Sequence, residues 1–391
     1  MKLSISVEET LERQQRFFSK LQDKQINCAV LFSSTDIFYL TRFHFIPTER
    51  PTAFFIDPQG KTHLFVPALE KDYAAELACV DEFHIYPEFP GLRHPMEFFK
   101  DILIDAGFED KNVGFDFDGY GSPYGYRGPR LSEVINAEFI SIYAWVEEMR
   151  FIKSSTEIEL IKESCRWGNL AHRYLQKYSK EGLSEVEVSS KASHDATLAM
   201  VDALGSDYKP HGKTAFAGFR GQIGKLSAYP HVVTQNATMK RGDNLVTWGA
   251  ADVWGYQSEL ERTMFVKEVS PEQEKYFNLM YEAQEIAFKN IKPGATTSSV
   301  DEEVQRFVDD SGIRRYVPHH TGHAIGLMMH EAPFFDLGDH TIMEPGMVFT
   351  VEPGIFVQGL GGFRHSDTVL VTEDGMEMLT YYPRDLNSLI C

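Results

Sequence analysis

The segment Gly249-Ala-Ala-Asp-Val-Trp-Gly-Tyr-Gln-Ser-Glu-Leu-Glu-Arg-Thr263 decides the fold of this chain. We predict strands over residues 244–249 and 254–266, which makes the segment a strand pair closed by a turn. Trp248 precedes the turn, and the second strand carries two carboxylates, Glu259 and Glu261. Two carboxylates can grip a planar cationic group, so this strand pair also carries the residue types of a functional site.

Three motifs follow downstream in order. They read His319-His-Thr-Gly-His323-Ala-Ile-Gly-Leu-Met-Met-His330-Glu, Phe349-Thr-Val-Glu352-Pro-Gly and Arg364-His-Ser-Asp367. His319, His323 and His330 favour a functional cluster over inert histidines, because Gly322 and Gly326 let the backbone approach closely around them.

A fourth motif lies upstream, where Tyr229-Pro-His231 precedes Lys240-Arg-Gly-Asp243. A neutral imidazole near pH 7 can take a proton from water and return it to a leaving nitrogen. His231 is therefore a candidate base, although a loop histidine without a catalytic role has the same sequence signature.

Taken together, the four motifs resemble those of the pita-bread superfamily, which includes prolidases, aminopeptidase P, methionine aminopeptidases and the metal-free creatinases. The resemblance implies an α/β N-terminal creatinase-like domain over residues 1–150 and an α+β pita-bread catalytic domain over residues 151–391. The junction Arg150-Phe-Ile-Lys-Ser-Ser-Thr-Glu-Ile158 is similar to the one in this superfamily, and its hydroxyl residues are suited to capping a helix.

The resemblance also implies how a metal site would be built. Metal-dependent members use five ligands, and this chain has Trp248 where the first Asp stands and Ser366 where the last Glu stands. Glu259 replaces the second Asp, while His323 and Glu352 match the remaining ligands. We therefore expect no cofactor, and leave open a single divalent cation held by Glu259, His323 and Glu352.

Specific residues resemble the creatinases. Leu260-Glu261-Arg-Thr matches their L-E-R-T, which implies that Glu261 and Glu352 orient a cationic carbon centre beside His323 while His231 transfers the proton. Arg50 matches an Arg that holds the substrate carboxylate across a dimer interface. As alternatives, Glu261 forms an ion pair with Arg262 or another base, and Arg50 is only a surface or interface residue.

The rest of the predicted pocket consists of His319, His330 and Trp248 as substrate-binding residues. Trp248 offers a cation–π wall, or fills the volume that a metal would occupy. The chain departs from the creatinases at Thr48, Gln257 and Ser366, and Glu331-Ala-Pro-Phe334 is similar to prolidases instead. The reaction type is therefore carried over, and the substrate is not.

Three functions follow from these residues. The main prediction is a creatinase-like, metal-independent hydrolase of a C–N bond in a small guanidino, amidine or amide compound. The alternatives are a metallopeptidase of the Xaa-Pro dipeptidase or aminopeptidase type with a degenerate metal site, and a non-catalytic binding module.

Length and composition limit the partners. A chain of 391 residues predicts two domains, and its net charge of −19 argues against nucleic acid and anionic membranes. Cys28, Cys79, Cys165 and Cys391 lack metal-site spacing, which is typical of free thiols in a reducing compartment. We expect a cytoplasmic homodimer that acts on a small molecule, with no membrane partner.

Overall fold

The structure is a computed structural model that describes residues 3–121, 125–212 and 214–391. Residues 1–2 and 122–124 of the predicted first domain, and residue 213 of the second, lie outside the described residues. The chain divides into two compact units, one spanning Ile5–Met149 and the other containing Arg150–Cys391.

Over its described residues, the first unit is built on one mixed sheet of six strands in the order β4-β3-β2-β1-β5-β6. The strands are β1 (Cys28–Leu31), β2 (Ala53–Ile56), β3 (Thr62–Pro67), β4 (Glu82–Tyr86), β5 (Asn112–Phe115) and β6 (Glu138–Ser141). The central strands are buried on both faces, and the edge strand β4 is partly exposed. Apolar runs such as Ala53-Phe-Phe-Ile56 become strands because only a doubly covered sheet position buries all four side chains.

Helices cover this sheet. They are α1 (Val7–Asp23), α2 (Ser34–Thr41), α3 (Lys71–Leu77), α4 (Pro95–Asp105), α5 (Leu131–Val134) and α6 (Trp145–Met149). Helix α1 begins where the Ser6 hydroxyl accepts a hydrogen bond from the Glu9 amide, and it buries Phe17 and Leu21, four residues apart on one face. Phe99 of α4 packs with Phe55 and Phe65 of the sheet in the core of this unit.

The second unit has a larger sheet, in which the described residues give the order β15-β14-β16-β19-β12-β9-β7, with β20 paired to β19. Short antiparallel pairs join β8 with β13, β10 with β11 and β17 with β18. The strands are β7 (Phe216–Gly218), β8 (Asn244–Val246), β9 (Trp248–Ala250), β10 (Asp252–Val253), β11 (Tyr256–Gln257), β12 (Leu260–Glu261), β13 (Thr263–Phe265), β14 (Gly322–Ala324), β15 (Glu331–Phe335), β16 (Val348–Val351), β17 (Gly354–Val357), β18 (Gly361–Arg364), β19 (Ser366–Thr372) and β20 (Gly375–Met378).

Four long helices accompany this sheet in the described part of the second unit. They are α7 (Ser155–Tyr178), α8 (Glu185–Leu204), α9 (Pro271–Asn290) and α10 (Thr297–Asp310). Helices α7 and α9 begin with reciprocal capping boxes, Ser154 with Glu157 and Ser270 with Gln273. The other two begin with hydroxyl caps, at Ser184 for α8 and at Thr296 for α10.

Two further expectations concern the whole chain. Along the described residues, no helix combines the length and the apolar character needed to cross a bilayer. The four cysteines, all of which the structure describes, form no disulfide.

Candidate active site

Neighbouring strands of the large sheet bring the motif residues together. Glu259 directly precedes β12, His323 lies in β14, Glu352 directly follows β16 and Ser366 begins β19. Because β14, β16, β19 and β12 are consecutive in the sheet, residues up to about 110 positions apart in sequence converge at one point. The sheet therefore builds a site from motifs that are separate in the chain.

The centre of the site is a buried trio of Glu259, His323 and Glu352, whose ligand atoms all lie within 4.8 Å of one another. His323 Nε2 lies 3.0 Å from Glu352 Oε1, and its Nδ1 lies 2.9 Å from the Ala324 carbonyl oxygen. Because a carbonyl oxygen only accepts hydrogen bonds, Nδ1 of His323 carries a hydrogen. In a neutral ring the lone pair of Nε2 then faces the Glu352 carboxylate, and a cation or a proton between the two atoms makes this contact favourable. Ser366 donates a 2.9 Å hydrogen bond to Glu259 Oε1.

Burial and charge shift the pKa values of this trio in opposite directions. Burial, then the charges of Glu352 and Glu261, raise the pKa of Glu259 to about 7. Burial lowers the pKa of His323, but the hydrogen bond and charge of Glu352 outweigh it and raise that pKa to about 9. Burial opposes ionisation of Glu352, yet the His323 hydrogen bond holds its pKa below the ordinary value. The two carboxylates therefore favour a positive charge beside them, which either a proton on His323 or a bound cation can supply.

Glu261 is engaged by two arginines. Its Oε1 accepts hydrogen bonds of 2.7 Å from Arg220 and 2.6 Å from Arg364, and Arg364 Nε also pairs with its Oε2. Arg364 is buried and Arg220 is one-third exposed. Of the two sequence interpretations of Glu261, the geometry fits the ion pair, although its partners are Arg220 and Arg364 and not Arg262.

Arg262 serves a structural role nearby. This fully buried guanidinium donates to Asp367 Oδ1 at 2.7 Å and to the carbonyl oxygen of Ser366 at 3.0 Å. It thereby ties β12 to β19 behind the site.

Trp248 lies in β9, beside β12. Its ring packs edge-on against Phe216 at 5.1 Å, and the Arg220 guanidinium lies 5.3 Å from the ring centre. An indole supplies no metal ligand, but this one supports the arginine that reaches Glu261.

The other predicted histidines lie at different depths. The His330 ring stacks on His323 with centroids 3.9 Å apart, and burial, His323 and, more weakly, His231 lower the pKa of His330. His231 itself is exposed. His319 is held by the carbonyl oxygen of its neighbour His320 at 2.7 Å, and burial lowers its pKa to about 4.

Arg50 is in the first unit, where it pairs with Glu49 and Glu88. Its predicted reach into a partner's active site stays a prediction. Arg220 and Arg364 were not among the predicted site residues. Arg364 stands in a quoted motif, whereas the signal for Arg220 was the sequence Gly218-Phe-Arg-Gly221, whose backbone turns through a left-handed conformation at Arg220 (φ 53°).

The side chains present do not fit two cations, because Trp248 and Ser366 occupy two of the five expected ligand positions. They do fit one. Two carboxylates and one imidazole make a three-ligand set that resembles catalytic zinc sites, which leave a further position for water or substrate. A divalent cation is therefore compatible with this site.

Comparison with known proteins decides the family. Residues 159–373 match the model of metallopeptidase family M24, and residues 13–152 match the creatinase/prolidase N-terminal domain. The chain belongs to metallopeptidase family M24. A Xaa-Pro dipeptidase of Pyrococcus horikoshii is 30% identical to this M24 protein over 325 residues, which cover 83% of the chain and 85% of the relative.

A Xaa-Pro dipeptidase of Pyrococcus furiosus is 34% identical over 249 residues, covering 64% of the M24 chain and 68% of the relative. The solved structure of a Xaa-Pro dipeptidase from Bacillus anthracis superposes with a TM-score of 0.81 at 26% identity, covering 98% of this chain and all of that one. These findings confirm the predicted fold class, the pita-bread superfamily and the general class of hydrolase.

Proposed function

We propose that this M24 protein hydrolyses a C–N bond in a small dipeptide-type substrate with the help of one divalent cation at Glu259, His323 and Glu352. The observation that carries the proposal is the buried trio, whose two carboxylates and one correctly oriented imidazole nitrogen lie within 4.8 Å of one another. The relatives named above are Xaa-Pro dipeptidases, which supports this alternative more than the creatinase-like prediction.

The chain's own residues hold such a cation in defined ways. The Ala324 carbonyl fixes the tautomer of His323, so that Nε2 is available as a ligand. The Ser366 hydroxyl orients Glu259, and the amide of Glu352 donates to the Thr321 carbonyl oxygen at 2.8 Å, which fixes the start of that loop. When bound, a divalent cation polarises a carbonyl oxygen and lowers the pKa of water.

Arg220 is our candidate for binding the substrate's carboxylate. Its Nη2 is anchored by Glu261, its plane is supported by Trp248, and about a third of the side chain is exposed. Its charge also acts on Glu259 and His330, so it faces the same site. A guanidinium fixed on one side and open on the other is suited to bidentate recognition of a carboxylate.

Proton transfer falls to the histidines at the open side of the site. We propose that His231, which is exposed and close enough to influence His330, carries protons to the leaving nitrogen. We retain the homodimer and the contribution of Arg50 as proposals, motivated by the separation of Arg50 from the catalytic residues in sequence.

A second candidate is the metal-independent hydrolysis of a guanidino or amidine compound. The 3.0 Å pair of His323 and Glu352 favours it, because a protonated His323 would complete this part of the site without a cation. The two arginines on Glu261 disfavour it, since that carboxylate then has little capacity left for a cationic substrate.

One experiment distinguishes metal-dependent dipeptide hydrolysis from metal-independent hydrolysis of a guanidino or amidine compound. Purified protein is treated with chelator, dialysed, and assayed against a panel of dipeptides, guanidino compounds and amidines with and without added Mn²⁺, Co²⁺ or Zn²⁺. We expect dipeptide hydrolysis that returns with metal and is abolished in Glu259→Gln. Glu268→Gln, a surface carboxylate paired with Arg241, is the matched control and should keep full activity. Amidine hydrolysis that is indifferent to chelator would establish the second candidate instead.

A further inference from the structure

A second cluster of ligand-type side chains lies in the first unit, at the edge of its sheet. His63 is in β3, and Glu82 and His84 are in the edge strand β4. The strands run parallel, with His63 opposite Glu82 and Phe65 opposite His84. Alternate residues of a strand share a face, so Glu82 and His84 present their side chains beside His63.

The three ligand atoms form a triangle of about the size of one face of a tetrahedral zinc site. His63 Nδ1 lies 3.1 Å from His84 Nε2 and 3.4 Å from Glu82 Oε2, and the last two atoms are 3.8 Å apart. Around a tetrahedral zinc with bonds of about 2.0–2.1 Å, neighbouring ligand atoms are about 3.3–3.4 Å apart. The observed spacings bracket that value.

Asp57 stands behind His63 as a supporting carboxylate. Its Oδ1 accepts hydrogen bonds from the Gln59 and Lys61 amides at 2.8 and 2.9 Å, and its Oδ2 lies 3.4 Å from His63 Nε2. In the tautomer that carries its hydrogen on Nε2, His63 donates to Asp57 and directs the lone pair of Nδ1 at His84 and Glu82. A carboxylate behind a ligating histidine is the usual arrangement around protein-bound zinc.

Packing fixes the rings in this arrangement. The Phe55 ring stacks on His63 with centroids 4.5 Å apart and a 5° angle between the planes, and His63 is buried. Lys61 pairs with the Oε1 atom of Glu82, so Oε2 is the oxygen that faces the histidines. Glu82 is half-exposed, which leaves the outer side of the cluster open to water.

We propose that His63, Glu82 and His84 form a binding site for a first-row divalent transition metal, with Zn²⁺ as the representative ion, separate from the catalytic trio. Two imidazoles and one carboxylate favour zinc, nickel, cobalt or copper over magnesium and calcium, which prefer oxygen ligands. The bound ion links β3 to the edge strand β4. Without metal, the His84 hydrogen on Nε2 can be shared with His63 Nδ1, so the cluster also exists in an empty form.

The test is zinc stoichiometry by equilibrium dialysis of the full-length chain, with Zn²⁺ as the only added ligand. We expect His84→Gln and Glu82→Gln each to bind one Zn²⁺ per chain fewer than the wild type while keeping hydrolase activity. His194→Gln is the matched control, because His194 is an exposed histidine that lies 3.0 Å from one carboxylate, Asp195. The zinc stoichiometry of this variant should stay at the wild-type value.

Asp57→Asn provides a second, graded measurement. Loss of a supporting carboxylate typically weakens metal binding by about 10–100-fold, so this variant should keep the stoichiometry and lose affinity. The proposal is overturned if His84→Gln, shown to be folded by circular dichroism, binds as many zinc ions as the wild type. It is equally overturned if His194→Gln loses the same ion, or if Mg²⁺ competes at equal concentration.

Discussion

Beside the proposed metal-ligand trio, the site contains a carboxylate that is paired with arginines. At Glu261 a carboxylate is shared by Arg220 and Arg364, and only Arg220 reaches solvent. A hydrogen bond to a charged group contributes about 1.5–3 kcal/mol, or roughly 10–150-fold in affinity. Arg220→Ala should therefore lower kcat/KM by about that factor for dipeptides with a free carboxylate, mainly through KM.

The control for this prediction is the substrate itself. The same dipeptides with an amidated C-terminus should be hydrolysed about equally by wild type and Arg220→Ala. Arg220→Lys should recover part of the loss, because lysine keeps the charge but not the fork of donors. An equal loss for free and amidated substrates would mean that Arg220 only supports the fold of the site.

Glu261 also contributes to the stability of the fold through its ion pair with Arg364. Glu261→Gln removes the nearer ionised partner of the buried Arg364 guanidinium and leaves only Glu352, 3.8 Å from its Nε. Breaking a buried pair typically costs about 3–5 kcal/mol. We expect urea unfolding to show a loss near the low end of that range, since glutamine still accepts one hydrogen bond. Glu268→Gln, whose pair with Arg241 is exposed, should cost less than about 1 kcal/mol. A loss below about 1 kcal/mol for both variants would contradict a stabilising role for the ion pairs of Glu261.

At the scale of elements, capping residues made the long helices predictable. Ser154-Ser-Thr-Glu157 predicted the start of α7, and the Ser154 hydroxyl does accept from the Glu157 amide at 3.2 Å. Ser154→Ala should destabilise the second unit by about 1 kcal/mol, measured by thermal or urea unfolding. Ser190→Ala, on the exposed middle of α8, should be close to neutral. The helix-capping explanation fails if the two variants are equally stable.

The strands were harder to predict, because whether a segment becomes a strand depends on the strand that pairs with it. Glu82-Phe-His-Ile-Tyr86 is charged and short, and it becomes a strand only because β3 offers it an edge. The single strand predicted over 254–266 is divided, because Leu260 and Glu261 pair with β19 whereas Thr263–Phe265 pair with β8. Such partners are distant in sequence, and local pattern does not encode them.

The same limit applies to the site. The motifs of Glu259, His323 and Glu352 resemble those of known enzymes, and that resemblance predicted that the three side chains lie together. Their ligand atoms do lie within 4.8 Å of one another. The role of Arg220 depends on a turn that places it over Trp248, and no spacing rule in the sequence reveals that contact.

For the molecule as a whole, buried histidines predict sensitivity to acid. Burial lowers the pKa of His319 to about 4 and holds those of His172 and His365 well below 6.5. Unfolding exposes them to protonation, so their stabilising contribution is complete above pH 6.5 and is lost as the pH falls toward 4. His323, whose pKa is raised, acts in the opposite direction. Each neutral histidine adds a slope of up to about 1.4 kcal/mol per pH unit.

The measurement is urea unfolding between pH 6.5 and 5.5, above the range in which ordinary carboxyl groups titrate. Glu259, whose pKa is raised to about 7, opposes the histidines in this window, but the buried histidines outnumber it. Trp145→Phe leaves tryptophans only in the second unit, so fluorescence then follows the unit that contains these histidines. We expect the free energy of unfolding to decrease as the pH falls. His319→Gln should reduce the slope of this free energy against pH by the amount that corresponds to about one bound proton. A slope unchanged by His319→Gln, or stability that rises as the pH falls, would contradict the prediction.

Our proposed function depends on one divalent cation held by Glu259, His323 and Glu352. The most direct measurement is the number of cations per chain at which activity is fully restored, by titrating metal into chelator-treated His84→Gln protein, in which the edge site is removed. We predict full activity at one equivalent, and neither binding nor activity when Glu259→Gln is added to this protein. Activity that needs two equivalents, or that is already complete without metal, would overturn the single-cation proposal.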